Sequence, residues 1–177
     1  MNYRYYIKFW LHPKKSTLIT SMSTSIYEIN TENISNSLVF LDIDDTLGGD
    51  QAVIPKKSIE WVGSLRKKGN KIVLVSNSSS SRRLELEKTF GNIVDKIVTK
   101  SNKPNPHAFI DAKKEFSNHK DTYMVGDRVA TDMYAAYLAG IENRILVKPY
   151  SSIYDAPKPS LIYRSARAIE NWIAMHT

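Results

Sequence analysis

One stretch of sequence decides how this chain folds: Leu38-Val39-Phe40-Leu41-Asp42-Ile43-Asp44-Asp45-Thr46-Leu47. It is an apolar run that ends in three carboxylates. A continuous apolar run of this length is typical of a parallel strand that is covered on both faces. In open parallel sheets, ligands bind beyond the carboxyl ends of the strands. The stretch therefore predicts a buried strand that carries a functional site at its end.

Asp42 and Asp44 are two positions apart, so on an extended chain they share a face, with a separation of roughly 6 to 7 Å. Two isolated carboxylates at that place would raise each other's pKa. A bound hard cation removes this repulsion, and carboxylates and carbonyls are the ligands that Mg²⁺ prefers. The alternative is a solvated turn, which is where Asp-Asp-Thr clusters commonly occur.

Length and composition limit the architecture. The chain has 177 residues, 42% of them hydrophobic, which suits one α/β domain with a core of its own. We predict an N-terminal amphipathic segment with a connector at 1–37 and an α/β domain at 38–177. The chain contains no cysteine, so any metal must be held by oxygen or by histidine. The net charge of +7 favours anionic partners: phosphorylated substrates, nucleic acid or an anionic membrane surface.

The N-terminal segment mixes aromatic and basic residues. As a helix, it would place Tyr3, Tyr6, Ile7, Trp10 and Leu11 on one face. Such a segment can lie in a membrane interface, and the alternative is that it packs on the core of the domain or on a partner chain. Residues 20–37 are polar and predict a connector. Because the sequence has neither a transmembrane run nor a signal peptide, it predicts a cytoplasmic protein, with peripheral contact between residues 1–15 and an anionic membrane as an option.

The rest of the chain alternates between buried strands and amphipathic helices. Strands are predicted at 71–75, 93–99, 122–125 and 145–147, and a hairpin arm at 52–54. Helices are predicted at 56–68, 79–90 and 131–139, around Phe109, Ala112 and Phe116, and at the end of the chain, where Ile162, Ala166, Ile169 and Ile173 are expected to pack back on the sheet. This alternation predicts a three-layer α/β/α, Rossmann-like fold with a parallel sheet.

Polar residues follow the predicted strands: Asp42 and Asp44, then Ser76 and Asn77, then Asp127, with Lys103 in a loop and Asp132 after Asp127. A carboxylate such as Asp42 can attack phosphorus and form an aspartyl-phosphate. Asp44 can transfer protons, and a serine and a lysine can stabilise the phosphoryl oxygens. Asp127 and Asp132 can hold Mg²⁺ with Asp42. Each of three residues also has a simpler interpretation when it is taken singly. Ser76 would be a turn residue, Lys103 would be an exposed cation, and Asp132 would interact with the dipole of a helix.

As an ordered set, these motifs resemble the haloacid dehalogenase (HAD) superfamily of phosphohydrolases. Asp42-Ile43-Asp44-Asp45-Thr46 resembles its DxDxT motif, Val75-Ser76 its strand-terminal Ser/Thr, Lys103-Pro104 its lysine, and Gly126-Asp127 through Asp132 its GDxxxxD motif. Asp45 departs slightly from the superfamily, which often has Gly or Asn there. The resemblance implies that Asp42 is the nucleophile. It implies that Asp44 acts as the acid/base and, through its backbone carbonyl, as a metal ligand. It further implies that Ser76, Asn77 and Lys103 bind the phosphate and that Asp127 and Asp132 bind Mg²⁺.

The spacing between these motifs leaves no room for a cap domain, so a capless fold with an open site is expected. Within the superfamily, the lead-in Ile26-Tyr27-Glu28-Ile29, the Lys-Pro-Asn-Pro loop and the closing Arg-Ala-Ile-Glu helix resemble the YqeG-like, phosphatidylglycerophosphate-phosphatase-like branch of subfamily IIIA. This resemblance implies a lipid-borne phosphomonoester as substrate. The alternatives are a protein, a nucleic-acid end or a soluble metabolite as substrate, or a basic binding domain without activity. The intact acidic set argues against nucleic-acid binding.

Overall fold

The structure is a computed structural model that describes residues 3–119 and 121–176. These residues form a six-stranded, all-parallel sheet with the order β1-β6-β5-β2-β3-β4. The strands are β1 (Ser21–Ser23), β2 (Leu38–Leu41), β3 (Lys71–Val75), β4 (Lys96–Val98), β5 (Thr122–Gly126) and β6 (Asn143–Val147). The helices are α1 (Tyr3–Trp10), α2 (Lys56–Lys67), α3 (Ser81–Phe90), α4 (His107–Glu115), α5 (Tyr134–Leu138), α6 (Tyr150–Ile153) and α7 (Leu161–His176). A π-helical turn, Val129–Met133, leads into α5.

Strand β2 lies at the centre of the sheet, between β3 and β5, and all of its residues are buried. Its side chains alternate between two apolar cores. Phe40 joins the core under α1, α4, α5 and α7, and Leu41 joins the core under α2 and α3. The sheet is thus covered by helices on both faces, which is why β2 is apolar on both sides. The predicted three-layer, Rossmann-like α/β fold is confirmed.

The connections that follow β2 and β3 are short. A loop and α2 join β2 to β3, and α3 with one 3₁₀ turn joins β3 to β4. Neither connection has room for a second domain, and the described part of the chain contains no cap over the ends of the strands. None of the described helices is long and apolar enough to cross a membrane.

Two predictions about individual elements are wrong. The connector predicted at 20–37 contains β1, an edge strand that pairs with β6. Its Ser-Met-Ser sequence has no apolar period, and Thr20 strengthens the pairing through hydrogen bonds with the backbone of Arg144. The hairpin arm predicted at 52–54 is a loop that inserts Ile54 into the core. The division of the chain at residue 37 stays a prediction.

Helix α1 packs on the domain through one side only. Phe9 is fully buried in an edge-to-face contact with Tyr134, at 5.5 Å between ring centroids, and Tyr6 packs beside it. The other members of the predicted apolar face are exposed: Tyr3, Ile7, Trp10 and Leu11. Helix α1 therefore buries one face against its own domain and leaves a second, apolar face exposed to solvent. Residues 1 and 2 of the predicted segment lie outside the described residues.

Helix α7 packs on the domain with a different face from the predicted one. Ile162 and Ile169 are 82% and 54% exposed, whereas Arg167, Glu170 and Ala174 are buried. The predicted packing of these two isoleucines is therefore wrong. The helix turns its charged residues inward because their ionic partners lie at the ends of the strands beneath it.

Candidate active site

All of the site residues predicted from the sequence line one open cavity of about 310 Å³ beyond the carboxyl ends of β2, β3 and β5. They are Asp42, Asp44, Ser76, Asn77, Lys103, Asp127 and Asp132. The parallel arrangement brings them together, because the carboxyl ends of parallel strands meet at one edge of the sheet.

The ammonium group of Lys103 lies at the centre of the site. Its Nζ is 2.5 Å from Asp42 Oδ1, 2.7 Å from Asp132 Oδ1 and 2.6 Å from the carbonyl oxygen of Val75. Burial lowers the pKa of Lys103, but the charges of Asp132 and Asp42 outweigh burial, so the pKa is raised above its ordinary value. Lys103 therefore carries a positive charge between the expected nucleophile and a second carboxylate. The exposed-cation alternative does not hold, since Lys103 is buried.

Asn77 holds the loop that delivers Lys103. Its Oδ1 accepts hydrogen bonds from Ser101 Oγ at 2.9 Å and from the backbone N–H of Lys103 at 2.8 Å. Its Nδ2 donates to the carbonyl oxygen of Lys103 at 3.0 Å. Because both the oxygen and the nitrogen of the amide are engaged, the orientation of the Asn77 side chain is fixed, and one N–H of the amide remains for a phosphate contact.

Three buried carboxylates, Asp42, Asp127 and Asp132, bring one oxygen each within 4.8 Å of one another. The hydroxyl group of Thr46 lies 3.4 Å from Asp42 Oδ2 and 3.5 Å from Asp127 Oδ1. Burial raises the pKa of Asp42 to about 7, with a further rise from Asp132 and an opposing effect of Lys103. Burial also raises the pKa of Asp127 well above its ordinary range. This set fits a hard divalent cation such as Mg²⁺, which takes oxygen ligands and would relieve the crowding of negative charge.

Asp44 faces away from the three-carboxylate cluster. Its Oδ1 accepts a hydrogen bond from the backbone N–H of Gln51 at 3.1 Å and lies 3.4 Å from Arg82. Its Oδ2 accepts a hydrogen bond from Ser76 Oγ at 3.3 Å. The side chain is thus separate from the three-carboxylate cluster, and it lines the cavity. Its carbonyl as a metal ligand stays a prediction.

The hydroxyl group of Ser76 has two roles. It donates to Asp44 and also accepts a hydrogen bond from the backbone N–H of Ser78 at 3.0 Å, which is the turn role that the sequence left open. The turn fixes the position of the hydroxyl group at the floor of the cavity.

Gly126, at the end of β5, lets the carboxylate of Asp132 come close to the backbone. A Cβ atom at this position would lie 2.6 Å from Asp132 Oδ2. The same oxygen accepts a hydrogen bond from the backbone N–H of Arg128 at 3.0 Å. Glycine is therefore required here for the approach of Asp132 to the site.

Asp45 connects the loop that follows β2 to the C-terminal part of the chain, a role that the sequence did not indicate. Its backbone has a positive φ of 62°, a conformation that favours Gly or Asn. Its carbonyl oxygen accepts from the N–H of Tyr150 at 2.7 Å, and its Oδ1 from the N–H of Ser151 at 2.9 Å. Its Oδ2 lies 2.8 Å from Nη1 of Arg167, which is also 3.0 Å from Asp127 Oδ2. Asp45 thus ties α6 and α7 to the site.

A second ion pair fixes α7 beside the site. Arg128 Nη2 donates to Glu170 Oε1 at 2.7 Å. Arg167 and Glu170 therefore hold the consecutive residues Asp127 and Arg128. Both belong to the closing Arg-Ala-Ile-Glu segment, which was the only sequence signal for them.

Comparison with known proteins gives one family and several solved structures. Residues 28–140 match the haloacid dehalogenase-like hydrolase family. No curated protein matches the chain. Among solved structures, a Had-superfamily hydrolase from Ehrlichia chaffeensis is 21% identical, with a TM-score of 0.45, over 57% of this chain and 56% of its own. The chain thus spans little more than half the length of that protein.

Two further structures are similar at the same level. An uncharacterized protein from Corynebacterium glutamicum ATCC 13032 Kitasato is 17% identical, with a TM-score of 0.45, over 76% of this chain and 93% of its own. A predicted phosphoglycolate phosphatase from Haemophilus somnus 129pt is 17% identical, with a TM-score of 0.43, over 64% of this chain and 57% of its own. The family match covers most of the chain and includes every predicted site residue. This chain belongs to the haloacid dehalogenase-like hydrolase family.

Proposed function

We propose that this chain is a Mg²⁺-dependent phosphomonoester hydrolase that acts through an aspartyl-phosphate on Asp42. The observation that carries the proposal is the contact of 2.5 Å between Asp42 and Lys103 beside the three-carboxylate cluster. An anionic nucleophile and an anionic phosphate repel each other, and a buried cation between them offsets that repulsion. Asp42, Asp127 and Asp132 would hold Mg²⁺, which when bound supplies further positive charge to the phosphoryl oxygens.

In the first step, an oxygen of Asp42 attacks phosphorus while the bond between phosphorus and the leaving oxygen breaks. Asp44, in its protonated form, gives its proton to the leaving alkoxide. Lys103 and the Ser76 hydroxyl stabilise charge on the equatorial phosphoryl oxygens. The products of this step are the free alcohol and the aspartyl-phosphate.

In the second step, Asp44, now ionised, accepts a proton from a water molecule that attacks phosphorus. The bond between phosphorus and Asp42 breaks, and inorganic phosphate leaves. Arg82 lies 3.4 Å from Asp44 and offsets its negative charge after the first step. Proton transfer in each direction thus uses Asp44, a carboxylate that does not belong to the three-carboxylate cluster.

The proposal is tested by rapid quench of the full chain with Mg²⁺ and an aryl phosphate, followed by mass spectrometry of its peptides. The expected result is a phosphate adduct on the peptide that contains Asp42, which hydroxylamine removes. Turnover without any adduct under several quench times, together with an Asp42→Asn protein that still turns over, would contradict the covalent mechanism.

We propose that the substrate is a lipid-borne phosphomonoester, and phosphatidylglycerophosphate is the specific candidate. We also propose that the chain belongs to the subfamily IIIA branch of the family. The open cavity supports a substrate too large to be enclosed. Further support comes from α1, whose exposed residues Tyr3, Ile7 and Trp10 lie next to the basic Arg4 and Lys8. An apolar and basic helix of this kind suits an anionic membrane interface.

The position of α1 relative to the cavity is relevant to this proposal. Burial raises the pKa of Tyr6, and the charges of Arg128, Glu170 and Asp132 also act on it. Because Arg128 and Asp132 line the cavity, Tyr6 of α1 lies within electrostatic range of the cavity wall. This relation supports the proposal that a membrane bound by α1 brings a lipid phosphate to the cavity.

Vesicles with and without phosphatidylglycerol test the lipid substrate. An Ile7→Ser, Trp10→Ser double variant keeps the buried Phe9, and a Val53→Ser, Leu84→Ser variant removes two exposed apolar residues elsewhere as the matched control. We expect the first variant alone to lose most vesicle binding and most turnover of the lipid. Equal turnover of lipid and soluble phosphomonoesters without vesicle binding would favour a protein, a nucleic-acid end or a soluble metabolite as substrate.

A further inference from the structure

A second cavity, of about 400 Å³, lies against α7 next to the active site. Its wall carries three cationic side chains and several polar ones: Lys158, Arg164, Arg167, Ser151, Ser152 and Asn171. No acidic side chain lines it within the described residues. The volume is in the range of small-molecule sites, and the wall is positive. Such a cavity suits an anion.

Two residues of this wall each carry a buried polar atom without a hydrogen-bond partner: Nε of Arg167 and Oδ1 of Asn171. Arg167 as a whole is only 7% exposed. Buried polar groups are paired as a rule, so each of these two atoms is available to a partner from outside the described residues. An anionic oxygen would accept a hydrogen bond from Arg167 Nε. It would accept another from the side-chain nitrogen of Asn171 once the amide group is turned by 180°, which exchanges the positions of its oxygen and its nitrogen.

Lys158 and Arg164 are the two exposed cations of the second cavity. Both side chains are exposed, and neither forms an ion pair with a described residue. Arg167 is different, because its Nη1 is already paired with Asp45 and Asp127 on the side of the active site. The uncompensated positive charge of the wall therefore comes from Lys158 and Arg164, and an anion between them would lower their mutual repulsion.

We propose that this second cavity is an anion-binding site for a phosphate or carboxylate group, separate from the catalytic phosphate position. Arg167 lines both cavities, so its side chain lies between the two sites. The anion has two possible sources: a free anion, or a second anionic group on the substrate. The second source rests on the proposed function, because a lipid phosphomonoester of the proposed kind also carries a phosphodiester.

The binding experiment uses the full chain and inorganic phosphate as the probe, with isothermal titration in the absence of Mg²⁺. A Lys158→Ala, Arg164→Ala variant removes the two uncompensated cations. A Lys88→Ala, Lys114→Ala variant removes two exposed cations elsewhere and matches the change in net charge. We expect the first variant to weaken phosphate binding at one class of site by at least tenfold and the control to bind as the unchanged chain does. Equal binding by all three proteins would overturn the proposal.

A kinetic experiment separates the two sources. Glycerol 3-phosphate carries a single phosphate, and glycerophosphoryl-glycerophosphate carries a phosphomonoester and a phosphodiester. The Lys158→Ala, Arg164→Ala variant is compared with the unchanged chain. If its KM rises at least fivefold for the second compound only, the substrate is the source of the anion. Unchanged KM values for both, with phosphate binding lost, identify a free anion. The titration requires no turnover, so its outcome is independent of whether the chain is a phosphatase.

Discussion

Arg167 of α7 forms an ion pair with Asp127 at the end of β5, with 3.0 Å between Nη1 and Oδ2. The same nitrogen lies 2.8 Å from Asp45, so one buried guanidinium offsets two buried carboxylates of the site. The C-terminal helix is thus a structural part of the active site, and the charge of Arg167 becomes most important when no cation occupies the three-carboxylate cluster.

Arg167→Gln is expected to lower the free energy of unfolding by about 3 kcal/mol without Mg²⁺, because it leaves Asp45 and Asp127 buried without a counter-charge. Added Mg²⁺ is expected to recover part of this loss by binding the carboxylates. Denaturant unfolding with and without Mg²⁺ measures both effects, and Arg167→Lys, which keeps the charge, should lose less. An equal loss at all Mg²⁺ concentrations would show that Arg167 is unrelated to the cation site.

Asp42→Asn is expected to abolish hydrolysis of an aryl phosphate, because an amide cannot attack phosphorus as a carboxylate does. The variant should fold, since the side chains are the same size and burial already favours a neutral group at this position. Phosphate release and circular dichroism are the measurements. Activity retained by a folded Asp42→Asn protein would exclude Asp42 as the nucleophile.

Lys103→Ala is expected to reduce kcat/KM by the equivalent of about 2 to 4 kcal/mol of transition-state stabilisation, the scale for loss of one preorganised donor. The reason is that Nζ is held by Asp42, Asp132 and the Val75 carbonyl beside the position that we propose for the phosphoryl oxygens. Lys100→Ala, an exposed residue three positions earlier in the same loop, is the control. Less than a tenfold decrease with Lys103→Ala would mean that the lysine does not contact the phosphate.

Asp95→Asn tests a carboxylate outside the active site. Asp95 accepts hydrogen bonds from the backbone N–H of Ile72 at 2.9 Å, from Lys71 at 2.9 Å and from Arg66 at 2.6 Å. Burial raises its pKa, but these donors outweigh burial and hold the pKa below its ordinary value. Its stabilising effect is therefore fully present above the unfolded pKa and is lost as the pH falls through the lower, folded pKa.

At pH 7 we expect Asp95→Asn to lower the free energy of unfolding by about 1 to 3 kcal/mol. The difference from the unchanged chain should shrink as the pH falls below about 4, where the unfolded carboxyl group protonates. Urea unfolding across the pH range measures it, with Asp111→Asn, at an exposed position, as the control. A difference that stays constant down to pH 2 would show that the charge of Asp95 contributes nothing.

The sequence by itself determined the architecture and which residues at the ends of the strands line the cavity. The apolar runs of β2, β3 and β5 are local signals, and each ends in the polar residue that it delivers, for example Asp42, Ser76 and Asp127. Parallel strands that end at one edge of a sheet bring such residues together whatever the details of packing. This is why the predicted residues meet in one cavity although they are far apart in the chain.

The tertiary structure alone decided which face of each terminal helix is buried. The apolar pattern of α7 predicted an inward Ile162 and Ile169, but the helix buries Arg167 and Glu170 instead. Their partners, Asp45 and Arg128, lie far away in sequence, and no local pattern records such a pairing. A buried charge is stable only where another element supplies its counter-charge, so the orientation of α7 depends on the assembled sheet rather than on the helix's own residues.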